Sequence, residues 1–176
     1  MAEPSPESDV LNKVQVDCSS LRIVLSTEED QVTKIRLCNP TDHVIAFKIK
    51  STRPNLVTGT RPMGFVKPMR AGKLLIRFKK VPPDSQEFVP DRSSANTDHL
   101  TIVITVPPAD ANLEDPVVIW KGPNGPPKLQ KRFMIPVEYV PPDSPDAIVL
   151  QTAAKAFDKK TDGGNEPEEE EMQRPK

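Results

Sequence analysis

Proline restricts this chain more than any other residue. It occurs 21 times in 176 residues, from Pro4 to Pro175. Inside a helix each proline removes a backbone donor and clashes with the preceding turn. That distribution excludes long helices through most of the chain. It is compatible with many short strands joined by proline-containing turns.

The apolar residues between the prolines repeat with a period of two. Val14 and Val16 begin the pattern, and Leu21, Ile23 and Leu25 continue it. Ile35 and Leu37 oppose Lys34 and Arg36, and Ile45, Phe47 and Ile49 oppose Lys48 and Lys50. Leu74, Ile76 and Phe78 alternate with Lys73, Arg77 and Lys79, and Leu100, Ile102, Ile104 and Val106 with His99, Thr101 and Thr105. Phe133, Ile135, Val137 and Tyr139 complete the series through Pro136 and Glu138. Such alternation describes strands with one face on a core and the other in water. The connectors agree: Asn39-Pro40-Thr41-Asp42 has the chemistry of a type I turn, and Pro82-Pro83-Asp84-Ser85 and Pro107-Pro108-Ala109-Asp110 are turn-like. Gly122 to Pro127 reads as a stiff surface loop. Seven short strands with these turns predict an all-β, immunoglobulin-like sandwich. Pro136 inside the last run points to an edge strand, where its missing donor faces solvent.

Charge divides the chain further. Residues 11–142 carry 19 Lys or Arg against 13 Asp or Glu, an excess of six, whereas the C-terminal part ends in Glu166 and Glu168 to Glu171. Ser144-Pro145-Asp146 has the N-cap, first-turn proline and acid of a helix start, with Val149, Ala153, Ala156 and Phe157 at helical spacing after it. The expected organisation is a disordered acidic arm over 1–10, a β-sandwich over 11–142, a short helix over 143–160 and a disordered acidic tail over 161–176. The acidic run of the tail is a candidate to fold back on the basic face.

No arrangement suited to catalysis emerges. His43 and His99 are isolated, belong to no metal-binding spacing, and accompany no nucleophile motif or phosphate-binding glycine loop. The reading is a non-enzyme with no cofactor and no metal site. Aromatics are 5% of the chain, and no nucleic-acid motif accompanies the basic residues, so a nucleic-acid partner is not expected. No apolar run approaches the length of a membrane span, and the N-terminus lacks the pattern of a secretory signal. A cytoplasmic protein is therefore expected. Cys18 and Cys38 are read as reduced thiols, with a pair brought together by neighbouring strands left open.

Three segments, Asn39-Pro40-Thr41-Asp42, Phe47-Lys48-Ile49-Lys50-Ser51-Thr52 and Arg61-Pro62, resemble the major sperm protein domain, which the VAMP-associated proteins share. The segment Asn96-Thr97-Asp98-His99-Leu100-Thr101-Ile102, Trp120, and the ending Lys131-Arg132-Phe133-Met134-Ile135-Pro136-Val137-Glu138-Tyr139-Val140-Pro141 are closer to the nematode major sperm proteins. The resemblance covers about residues 10 to 142. It implies a seven-stranded sandwich that binds no nucleotide, dimerises, and assembles into the filaments that drive amoeboid crawling of nematode sperm. In the VAMP-associated branch it implies binding of acidic peptides with two phenylalanines (the FFAT motif). Carried onto this chain, that peptide site involves Lys50, Ser51, Thr52, His99 and Thr101, with Lys48 adding basic character. His99 stands where that branch has a lysine and Thr101 where it has a methionine, which weakens charge attraction and apolar contact. The acidic C-terminal extension, more than thirty residues beyond the Tyr139 strand, distinguishes the chain from the filament subunits. The expected function is therefore protein–protein assembly as a cytoskeleton-associated accessory of sperm filaments, with a soluble adaptor for acidic peptides as the alternative. The expected partners are such filaments, a second copy, or acidic peptides.

Overall fold

The computed structural model describes residues 5–24, 26, 28–81, 98–123, 125–140 and 170–171. The helix expected over 143–160, nearly all of the tail expected over 161–176, and the Pro82–Ser85 turn lie outside them.

In chain order the elements are α1 (Pro6–Lys13), β1 (Gln15–Val16), β2 (Leu21–Val24), β3 (Gln31–Asn39), β4 (Ile45–Ser51), β5 (Val57–Gly59), β6 (Met63–Val66), β7 (Arg70–Phe78), β8 (His99–Thr105), α2 (Pro116–Lys121), β9 (Lys131–Val140) and β10 (Glu170–Glu171). Each of the seven alternating runs forms a strand, namely β1, β2, β3, β4, β7, β8 and β9. The segments β5, β6 and β10 add to them, so the sandwich is mostly β as expected but is not limited to seven strands. One sheet runs β1-β3-β7-β10, with β5 also on β7, and the other runs β2-β9-β8-β4-β6. The β2–β9 pair is parallel, and the other pairs are antiparallel.

The core lies between the sheets. Ile35, Leu37, Leu74 and Ile76 from the first sheet meet Ile45, Ile49, Leu100, Ile102, Ile104 and Ile135 from the second. Burial of each such side chain stabilises the fold by about 1.5–3 kcal/mol before entropy is counted. The chain changes sheets after β5, at the point where the Thr60 amide donates to the Leu75 carbonyl at 2.8 Å. It then re-enters as β6 beside β4. Gly64 permits the close approach there: a Cβ would lie 2.7 Å from Cζ of Phe47, its register partner.

The turn after β3 is built on Asn39, which is fully buried. Its carbonyl oxygen accepts from the Thr41 amide at 3.1 Å and the Thr41 hydroxyl at 2.7 Å. Its amide donates to the carbonyls of His43 at 2.7 Å and Lys67 at 3.1 Å, with that of Val66 at 3.4 Å. One side chain thus ties β3 to the approach to β4 and to the loop before β7.

Three expectations need correction. The arm expected over 1–10 is helical from Pro6. Ser5 caps this helix, its hydroxyl accepting from the Ser8 amide at 3.3 Å, and Leu11 and Val14 anchor it in the core. Pro136 is not on an edge strand, because β9 lies between β2 and β8. The Val137 amide donates toward β8, to the Asp98 carbonyl at 2.9 Å. Amides alternate sides along a strand, so the donor absent at Pro136 falls on the β2 side, where pairing begins only at Val137. The outer face of the second sheet is also not wholly solvated. The short helix α2, with Asp115 accepting from the Val117 amide and Pro116 in the first turn, packs Ile119 and Trp120 onto Ala46 and Val103.

Among the described residues no helix is long and apolar enough to cross a membrane. Cys18 and Cys38 are both free thiols.

Candidate functional site

The register of β4, β8 and β9 sets the composition of the second sheet's outer face. Lys48 pairs with Val103, which pairs with Arg132. In the next row out, Lys50 pairs with Thr101, which pairs with Met134. His99 follows, opposite Pro136. Side chains of directly opposed residues point to the same side of a sheet. Lys48, Lys50, Thr101 and His99 therefore share one face with Arg132 and Met134. Met134 is 65% exposed, the most exposed of the large hydrophobic side chains in the described residues.

Lys48 is the most constrained of these cations. Its ammonium lies 5.2 Å from the centre of the Trp120 ring, an electrostatically attractive position over an aromatic face. Partial burial, then repulsion from Lys50, Lys121 and Arg132, holds its pKa below the usual lysine value. Four positive groups therefore share one field, with Lys121 contributed by the end of α2. The Trp120 Nε1 is buried without a hydrogen-bond partner among the described residues.

Two expected site residues, Ser51 and Thr52, also bond to the framework. The Ser51 hydroxyl accepts from the Arg53 amide at 3.1 Å. The Thr52 hydroxyl accepts from the His99 amide at 3.0 Å, and the Thr52 amide donates to the His99 carbonyl at 3.1 Å. These bonds close the end of the β4–β8 ladder. Asp98 reinforces it, pairing with Arg53 at 2.9 Å and accepting from the Tyr139 hydroxyl at 2.8 Å. Burial, and then this bond to a carboxylate, push the Tyr139 pKa far above the ordinary phenol value.

The structure sets Lys48, Lys50, His99 and Thr101 on one face, and the sequence reading does not include their neighbours Arg132, Lys121 or Met134. Arg132 and Met134 alternate with Phe133 and Ile135 and so are legible as outward-facing. What the sequence lacks is the β8–β9 register that sets them beside Val103 and Thr101. Lys121 requires the position of α2.

The solved structure of WR4, a C. elegans MSP family member, is 19% identical to this chain, with a TM-score of 0.51 over 72% of this chain and 97% of WR4. SSP-19, an MSP-domain protein-like family member of Caenorhabditis elegans, is 20% identical, with a TM-score of 0.48 over 70% of this chain and 97% of its own. The likeness to WR4 is one of fold. No curated protein sequence matches the chain significantly. The family model of the MSP (major sperm protein) domain matches residues 13–121, a span from the end of α1 through α2 that includes the Asn39 turn, Lys48 and Trp120. The chain belongs to the MSP domain family.

Proposed function

We propose that this protein is a non-enzymatic assembly module that receives an acidic segment of a protein partner on the face formed by Lys48, Lys50 and Arg132. Membership in the MSP domain family, a family of protein-interaction domains, supports the general role. The observation that carries the specific reading is the cation cluster that the β4–β8–β9 register sets on one face, with Lys48 and Arg132 flanking Val103 and Lys50 in the next row. Clustered like charge disfavours the free state and is relieved by carboxylates. Exposed Met134 gives the same face an apolar contact beside Thr101.

The setting we propose is the cytoskeleton of nematode sperm, with this chain as a filament-associated accessory. The sequence resemblance through Asn96–Ile102 and Lys131–Pro141 supports that setting, and the acidic extension supports an accessory over a subunit.

The test is fluorescence polarisation with an acidic peptide containing two phenylalanines, using the full chain and a Lys48→Glu/Arg132→Glu variant. Binding that weakens with salt and is lost in the variant is expected. A variant that binds as well as the parent would remove the face from the reading. The accessory role predicts that the purified chain forms no filaments by itself. Spontaneous filaments that persist after deletion of residues 143–176 would make it a subunit.

A further inference from the structure

β3 pairs with one side of β7 along its whole length, but the change of sheets at Thr60 ends the β5 pairing on the other side. β5 pairs with β7 from Phe78 to Ile76, and the Thr60 amide extends that contact to Leu75. The chain then leaves for β6 on the other sheet. On this side, Arg70 to Leu74 would present a bare sheet edge, with unpaired backbone groups able to take up another strand. The edge is not bare. β10 pairs antiparallel with it, Glu170 opposite Ala71 and Glu171 opposite Arg70. The position where β10 pairs is also covered: Ala71 is 2% exposed, whereas Leu75 on the same outer row is 41% exposed.

The charge pattern of this edge suits an acidic strand. Along this edge β7 carries Arg70 and Lys73, and the β3–β7 register sets Lys73 directly opposite Arg36, and Leu75 opposite Lys34. Like charges directly opposed across a ladder are unfavourable. The segment that pairs here comes from a run of four consecutive glutamates, Glu168 to Glu171. The sequence analysis considers this run as an occupant of the basic face; its described part instead lies on the sheet that does not contain Lys48 and Lys50.

We propose that the edge of β7 at Arg70–Ala71 is a strand-acceptor site for an acidic extended segment, and that its occupant is the chain's own Glu170–Glu171. The site is distinct from the Lys48 face and does not depend on it. Seating the tail here protects an otherwise open edge from pairing with other chains, and leaves the Lys48 face clear.

Disulfide trapping in the full-length chain tests the proposal. Directly opposed residues of an antiparallel pair have Cα atoms about 4.5–5.5 Å apart, within the range a disulfide spans. The background is Cys18→Ser/Cys38→Ser, because Cys38 is the β3 register partner of Ala71. In it, Ala71→Cys/Glu170→Cys is compared with the control Ala71→Cys/Gly164→Cys under mild oxidation. Faster formation of an intramolecular disulfide at 71–170 than at 71–164 is expected. Equal rates would overturn the assignment, and so would a disulfide formed only between chains, which would give the seat to a second copy. Should the double variant fail to fold, amide exchange across Arg70–Gly72 decides, comparing the unmodified chain with one lacking residues 166–176. Loss of protection on truncation supports the seat; unchanged protection removes it.

Discussion

The ammonium of Lys131, at the start of β9, donates to the backbone carbonyl of Leu11 at 3.2 Å. It also reaches the carbonyls of Val14 at 3.3 Å and Asn12 at 3.4 Å. The carbonyls at a helix C-terminus have no partner within the helix and carry its negative pole. A strand distant from α1 in sequence thus caps it, and the same lysine lies over the Phe133 ring at 4.9 Å.

Replacing this ammonium with an apolar chain of similar length isolates the cap. Lys131→Met should cost about 1–2 kcal/mol, less than the sum of three separate charge-assisted bonds because a single ammonium makes them all. Urea unfolding measures the loss, and amide exchange should rise in α1 before it rises in β9. Equal acceleration in both would mean that Lys131 supports the sheet rather than the helix.

Leu11 tests α1 from the other side. It is 2% exposed and part of the main core, so Leu11→Ala should cost about 2–4 kcal/mol. A disordered arm ending at residue 10 with a loosely attached Leu11 would show almost none of this loss.

Asn39→Ala removes both halves of the turn's tie at once. The carbonyls of Val66, His43 and Lys67 lose the Asn39 amide as donor, the Thr41 amide loses its acceptor, and the Thr41 hydroxyl keeps only the longer bond to the His43 carbonyl. Unmet buried polar groups cost about 1–3 kcal/mol each before relaxation, so a net loss of about 2–4 kcal/mol is expected from denaturant unfolding. Asn39→Asp should be at least as damaging at neutral pH, since a carboxylate cannot donate to the three carbonyls.

The seven alternating strands are legible in the sequence because alternation is a local property, and the Asn39-Pro40-Thr41-Asp42 signature marks its turn for the same reason, whereas the short β5, β6 and β10 carry no such pattern. The helices show how local signals can be read unevenly. Ser144-Pro145-Asp146, outside the described residues, is read as a helix start, whereas Ser5-Pro6-Glu7 and Asp115-Pro116, with the same cap-and-proline chemistry, begin α1 and α2. Composition argued for disorder at the first, and the glycine–proline loop that follows obscured the second. Register is not local at all. Nothing in the order of residues reveals that Arg132 lies beside Val103, or that β2 begins to pair only after Pro136, because both depend on how separate strands align. The candidate face was therefore visible as two lysines, a histidine and a threonine, while the neighbours that make it a cation cluster were not.

Alkaline pH provides a last prediction with a definite sign. Burial, and then the bond to Asp98, raise the Tyr139 phenol in the folded state. Burial also raises the thiols of Cys18 and Cys38. For an acid whose folded pKa is raised, the unfolded chain releases its proton first as pH rises. Stability is then complete below the unfolded pKa and falls above it. The thiols contribute to the fall from about pH 8.5 and Tyr139 from about pH 10, their unfolded values. Lys48 acts in the opposite sense, since its lowered folded pKa makes stability rise with pH through the lysine range. The variants separate these contributions. Tyr139→Phe should cost about 1–2 kcal/mol at neutral pH through the lost hydrogen bond, yet its stability should decline less steeply above about pH 10 than that of the parent. Urea midpoints measured from neutral to strongly alkaline pH should therefore converge. Parallel curves would show that Tyr139 ionises as readily in the fold as in the unfolded chain, and that the Asp98 contact does not hold its proton.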